Sequence, residues 1–107
     1  MINSKFRKAI VMYKNDVAGI IEENEKGYKF EYDDSFIKKN VPISLSLPTN
    51  KKTYESSEMF SFFYGLLPEG WYLDIVTKKL KLDKNDPFGI LISTSSETVG
   101  AVWIKNL

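Results

Sequence analysis

The sequence has no histidine and no cysteine. Losing histidine removes the side chain that titrates near neutrality, and with it the usual general base and the Ser-His-Asp arrangement. Losing cysteine removes the thiol nucleophile and Cys-rich zinc sites, and it fits a reducing cytosol. The six glycines are scattered. They form neither G-x-x-x-x-G-K-[ST] nor G-x-G-x-x-G, so no glycine-rich loop is available to cradle a phosphate. No apolar run approaches the ~18 residues of a membrane span. Met1-Ile2-Asn3-Ser4-Lys5 lacks the apolar centre of a signal peptide. A net charge of +1 gives no global attraction to nucleic acid or to a membrane. Neither is expected as a direct specific partner, no cofactor or metal is implied, and a cytoplasmic location fits.

What is present is ordinary for one soluble domain spanning residues 1–107: 43% hydrophobic, 27% charged and 14% aromatic. The aromatic share makes Phe and Tyr the expected core. Residues 56–71 are the stretch around which the rest is organised. Met59, Phe60, Phe62, Phe63, Leu66 and Leu67 follow i, i+1, i+3, i+4, i+7, i+8 spacing. At about 100° per residue they cover roughly 160° of a helix. The spacing predicts a largely buried helix, capped at Ser56 or Ser57 and ended by Pro68.

Before that stretch, residues 8–14 and 17–23 read as a hairpin turning at Asn15-Asp16, with Gly19 marking a bulge or a close packing approach. Glu25-Lys26-Gly27 turns the chain into Tyr28-Lys29-Phe30-Glu31-Tyr32, whose alternation is that of a half-buried antiparallel strand. Asp33-Asp34-Ser35 opens a short helical turn or loop. Pro42-Ile43-Ser44-Leu45-Ser46-Leu47-Pro48 alternates as a short edge strand, and residues 49–53 read as a polar loop. A second helix is predicted from Glu69 or Gly70 to Lys81. A third, short helix begins at Asp86-Pro87, Asp as cap and Pro in the first position. Thr98 to Ile104 reads as the last strand. The order predicts an α+β fold: a small twisted antiparallel sheet or partial β-barrel of about five strands, with three helices on one side.

Few constellations could carry chemistry. Glu22, Glu23, Glu25, Glu31, Asp33 and Asp34 cluster in sequence, which suits the solvated face of a hairpin better than a metal site or an acid/base pair. Lys78, Lys79, Lys81 and Lys84 form a basic stretch that suits cations placed where the dipole of the second helix favours them better than a phosphate or nucleic-acid contact. On that helix, with Trp71 at 0°, Tyr72, Leu73, Val76 and Leu80 fall between about 100° and 200°, and Ile75 near 40°. The apolar stripe centres at roughly 130°. Trp71 lies off it, beside Asp74 and Lys78. Two readings stand: Trp71 is an exposed interface anchor, or the first turn is irregular and the ring folds back onto the sheet. Trp103, in an apolar strand, is expected in the core.

At Leu66-Leu67-Pro68-Glu69-Gly70-Trp71 the chain resembles the N-terminal subdomain of HipA-type serine/threonine kinases, the toxins of bacterial toxin–antitoxin systems. The hairpin ending in Val17-Ala18-Gly19, the Pro42 to Pro48 segment, Phe62-Phe63, Asp86-Pro87-Phe88 and Val99-Gly100-Ala101 occur in the order of that family. In HipA-type proteins the kinase follows this subdomain. Here the sequence stops at Leu107 and carries neither H-R-D nor D-F-G, so no kinase residue can be carried over. A free-standing copy is similar to the HipS small-subunit family of tripartite HipBST systems. The resemblance implies an antitoxin-like, non-enzymatic subunit that binds a HipT/HipA-type kinase in trans and blocks it. In a ternary complex, a HipB-like helix-turn-helix protein would be a further partner. The alternative is a non-inhibitory structural subunit that completes the kinase fold and bridges it to HipB. An enzyme working through carboxylates or lysines is a third reading. The expected partner-binding residues are Pro68, Glu69, Gly70, Trp71 and Asp74.

Overall fold

The computed structural model describes residues 6–96 and 100–106. Its elements run β1 (Lys8–Tyr13), β2 (Asp16–Asn24), β3 (Gly27–Tyr32), α1 (Asp34–Ile37), β4 (Thr53–Ser56), α2 (Ser61–Tyr64), α3 (Gly70–Leu80), α4 (Pro87–Thr94) and β5 (Val102–Asn106). The strands form one open antiparallel sheet in the order β4-β3-β2-β1-β5. The α+β class and the strand number are as expected. The helix beyond the expected three is α1, a single turn opened by Asp33, whose carboxylate accepts the Ser35 N–H at 3.1 Å.

Strand pairing follows from local signals. The first turn is Lys14-Asn15, one residue earlier than expected, with Lys14 at φ 54° and Tyr13 paired to Asp16. Gly19 serves both purposes anticipated for it. Val11 faces Gly19 but Met12 faces Val17, so Ala18 is the extra residue of a bulge. A Cβ at Gly19 would also collide with the carbonyl oxygen of Glu31 on β3. Ala9, Ile21, Phe30 and Tyr54 then stand in one row across four strands. That row lies on the face that carries the core, where Phe30, Tyr32, Phe36, Phe63, Phe88, Leu91 and Ile104 are buried together. Phe30 packs 4.8 Å from Tyr32 and 5.6 Å from Phe63, centroid to centroid.

Arg7 ties the sheet to α4. Its guanidinium donates to Glu23 at 2.8 Å and to Asp86 at 2.7 Å, and lies 5.3 Å from the centre of the Phe88 ring. Asp86 also accepts the Gly89 N–H at 3.1 Å, so α4 starts where the Asp-Pro pair predicts.

Three expectations are corrected. Residues 42–48 form a turn instead of an edge strand. The buried Tyr32 hydroxyl accepts the Ile43 N–H at 3.1 Å and donates to the Leu47 carbonyl at 2.5 Å, which curls the segment around one phenol. Ile43 and Leu47 become its buried anchors and Leu45 stands 94% exposed at the tip. Prolines at both ends withhold two ladder donors, and the edge position goes to β4, inside what reads as polar loop and helix start. That pairing shortens the central helix. With residues up to Ser56 in the sheet, one helical turn, α2, remains before the chain reaches Gly65 and Pro68. Ser56 caps no helix; its hydroxyl accepts the Glu58 N–H in a local turn. Phe63 is fully buried, while Met59, Phe60, Phe62, Leu66 and Leu67 are half-buried against the core. Trp103 is half-buried and outside the core cluster. Val102 and Ile104 take the inward positions of β5, and alternation puts Trp103 on the other face, its indole N–H donating to the Lys14 carbonyl at 2.7 Å. Of the expected last strand, Thr98 and Val99 lie outside the described residues, and β5 begins at Val102.

Candidate partner-binding surface

The candidate site is built on α3 and the link that leads into it. Leu66 and Leu67 continue the winding of α2 through N–H bonds to Phe63 and Tyr64 at 3.0 and 3.1 Å. Pro68 then stops it. Glu69 is extended, and its carbonyl accepts the first α3 bond, from Leu73 N–H, at 3.2 Å. Gly70 turns the chain into the helix at φ +54°. A Cβ there would meet no atom, so the demand for glycine is conformational. The helix ends at Lys81 in the left-handed conformation, and Leu82 N–H donates to Thr77 at 2.8 Å.

α3 rests on the rest of the chain along a narrow line. Thr77 is its only buried residue, and Leu73 and Val76 are half-buried. The Thr77 hydroxyl is satisfied within the helix, donating to the Leu73 carbonyl at 2.8 Å. On the wheel used above, these residues lie at about 140° to 240°. The inward direction is therefore turned well away from the predicted centre of the apolar stripe. Trp71 is 74% exposed, and Tyr72, Ile75 and Leu80 are about half exposed. Tyr72, expected to face the core, is corrected by this; Leu80 lies in the inward range on the wheel but is half exposed at the end of the helix, in the wall of a groove. The wheel locates the apolar residues of a helix but contains nothing about where the remaining chain will lie. Trp71 and Tyr72 pack edge to face, with ring centroids 6.1 Å apart. Along its inner border, the exposed sector opens into a groove of about 530 Å³ lined by Leu66, Leu67, Pro68, Tyr72, Val76 and Leu80, among others.

The five residues singled out in the sequence separate here. Pro68 is half-buried in the groove wall; Glu69, Gly70 and Trp71 are exposed in succession. Asp74 is also exposed, but it is engaged internally by an ion pair with Lys84, whose hydrogen bond holds the Asp74 carboxyl below the usual carboxylate range. Tyr72, Ile75 and Leu80 extend the surface beyond those five. For Ile75 and Tyr72 the signal was present, since on the wheel they fall at about 40° and 100° from Trp71, in a sector shared with Lys79.

Most of the acidic residues that cluster in the sequence are engaged within the chain. On the open face of the sheet, Glu31 lies 3.5 Å from Lys29 and 3.8 Å from Lys52, which also pairs with Asp34 at 2.7 Å. Glu23 belongs to Arg7 and Asp33 caps α1. Among the described residues, no group of three or more Asp or Glu side chains is placed to hold a metal ion. None of their helices is long and apolar enough to cross a membrane.

Comparison with known proteins gives one consistent picture. Residues 9–105 match the family model of the HipA N-terminal domain. A protein of Haemophilus influenzae described only as uncharacterised is 28% identical over 99 residues, covering 92% of each chain. A solved structure described as the N-terminal domain of HipA toxin superposes on the whole chain, and on 97% of its own, with a TM-score of 0.75 at 24% identity. At that identity the likeness speaks for the fold.

Proposed function

The chain belongs to the HipA N-terminal domain family, and on that premise we propose that it is a non-enzymatic, antitoxin-like subunit that docks through α3 on a HipA-type serine/threonine kinase and blocks it. Membership ties the chain to HipA-type toxin–antitoxin systems. The observation that carries the finer reading is the uncovered half of α3: a 74% exposed Trp on a helix anchored along one line, beside an apolar groove. Large aromatics cost water contact when left bare, and Trp is enriched among the residues that dominate binding energy. The Haemophilus relative is matched over 92% of its own length, so it carries little beyond this domain. This supports action in trans. A kinase of that kind works in the cytoplasm, where this subunit would meet it, along with a HipB-like DNA-binding partner in a larger complex.

The test is autophosphorylation of a HipA-type kinase from the same genome, with and without the purified chain, together with co-purification of the two. Stoichiometric binding with loss of autophosphorylation is the expected outcome. Binding with full activity would favour the structural, bridging role. Absence of binding would refute both.

A further inference from the structure

Resting on the reading of α3 as the docking helix, we infer that the surface receiving it is an apolar socket with an acidic rim, whose carboxylates meet Lys78 and Lys79. The four lysines near the end of α3 are not equivalent. Lys84 is engaged with Asp74. Lys81 closes the helix in the left-handed conformation and falls at about 280° on the wheel, away from the Trp71 sector. Lys78 falls at about −20°, at the edge of the sector that holds Trp71, Ile75 and Tyr72, and Lys79 at about 80°, inside it. Both are exposed, and neither forms an ion pair among the described residues. The helix dipole favours cations anywhere in the last turn and does not choose their side.

The sector is therefore polarised along its length. Exposed Glu69 stands at its start, and two cations outside any ion pair lie roughly 10 Å further along the axis from Trp71. The Asp74 carboxylate is held by Lys84 on the flank of the sector, with a lesser through-space contribution from Lys78. A partner that covers Trp71, Tyr72 and Ile75 brings its own surface up to both ammonium groups. An apolar or basic border would leave them unpaired beside low dielectric, which is costly. A carboxylate border accepts them at the rim, while their aliphatic stems lie along the socket wall. Rim charges act mainly on the association rate and its salt dependence, and buried anchors act mainly on dissociation.

The experiment measures association and dissociation of the intact chain with the HipA-type kinase from the same genome, at low and physiological salt. The variants are Lys78→Gln/Lys79→Gln and Lys78→Glu/Lys79→Glu, both keeping strong helix formers, with Trp71→Ala beside them. The expected result is association slowed several-fold by the Gln pair and roughly tenfold or more by the Glu pair, with dissociation nearly unchanged. The decline of association with salt should be lost in the Glu pair. Unchanged association in both lysine variants, with the complex still lost in Trp71→Ala, would overturn the acidic rim and leave the docking reading standing. No effect from any variant would overturn both. Binding of the free chain to phosphatidylcholine–phosphatidylserine vesicles, lost in the Glu pair, would assign the sector to a lipid surface and overturn the proposal.

Discussion

Trp71→Ala separates folding from docking by magnitude. A fully buried Trp removes about 150–250 Å² from water. Trp71 is 74% exposed, so folding covers about a quarter of it, roughly 60 Å². At about 25 cal/mol per Å² this is worth at most about 1.5 kcal/mol of stability. The remainder is available to a partner. Complete coverage would contribute about 4 kcal/mol by area, and a central anchor typically shows about 2 kcal/mol or more on truncation, roughly thirtyfold in affinity. The variant should melt within a few degrees of the parent by circular dichroism, yet release the kinase, restoring autophosphorylation at concentrations where the parent suppresses it. A stability loss well beyond that expected from the covered area would mean that the ring leans on the sheet. Parental stability with parental inhibition would move the docking surface off α3, to the open face of the sheet.

Phe63→Ala should do the reverse. Phe63 is fully buried against Phe30, Phe60 and Phe62, so its truncation should cost about 3–5 kcal/mol and lower the urea midpoint by roughly 2 M. An unchanged midpoint would refute its place in the core. The Asp86 carboxyl is held below its ordinary range, chiefly by the hydrogen bond from Arg7. A carboxyl depressed in the fold stabilises above its unfolded value, about 3.9, and loses that contribution as pH falls through the folded value. The urea midpoint should therefore fall on acidification below about pH 4. Asp86→Asn keeps the helix cap but loses the ion pair, so it should make that acid limb shallower. At neutral pH it should cost about 1 kcal/mol or less, because water screens side chains 38% and 34% exposed. An acid limb as steep in Asp86→Asn as in the parent would rule out this pair as its cause. Gly70→Ala should cost about 1–2 kcal/mol through its positive φ alone, and Gly70→Asn less, since Asn tolerates that conformation. Identical thermal melts for all three proteins would show that the entry to α3 does not depend on it.

Elements whose signals are local were legible along the chain. The Tyr28 to Tyr32 alternation, the turn at Glu25-Lys26, the cap at Asp86-Pro87 and the span of α3 each lie within a few residues of their cause. The LLPEGW segment and the order of motifs around it were enough to identify the family. Features that depend on distant partners were settled only by long-range packing. Residues 42–48 carry a clean alternation, but the Tyr32 hydroxyl, ten or more positions away, curls them into a turn. Tyr54 joins the sheet because Phe30 lies opposite it in register, and this leaves only one turn of the central helix. Trp103 turns away from the core because its neighbours fill the inward positions. The same holds at the candidate site. Hydrophobic periodicity measures the distribution of side chains around an axis. The rotation of that axis against the body is set by long-range packing, here along the narrow line at Leu73, Val76 and Thr77. That packing line leaves Trp71, Tyr72 and Ile75 facing water.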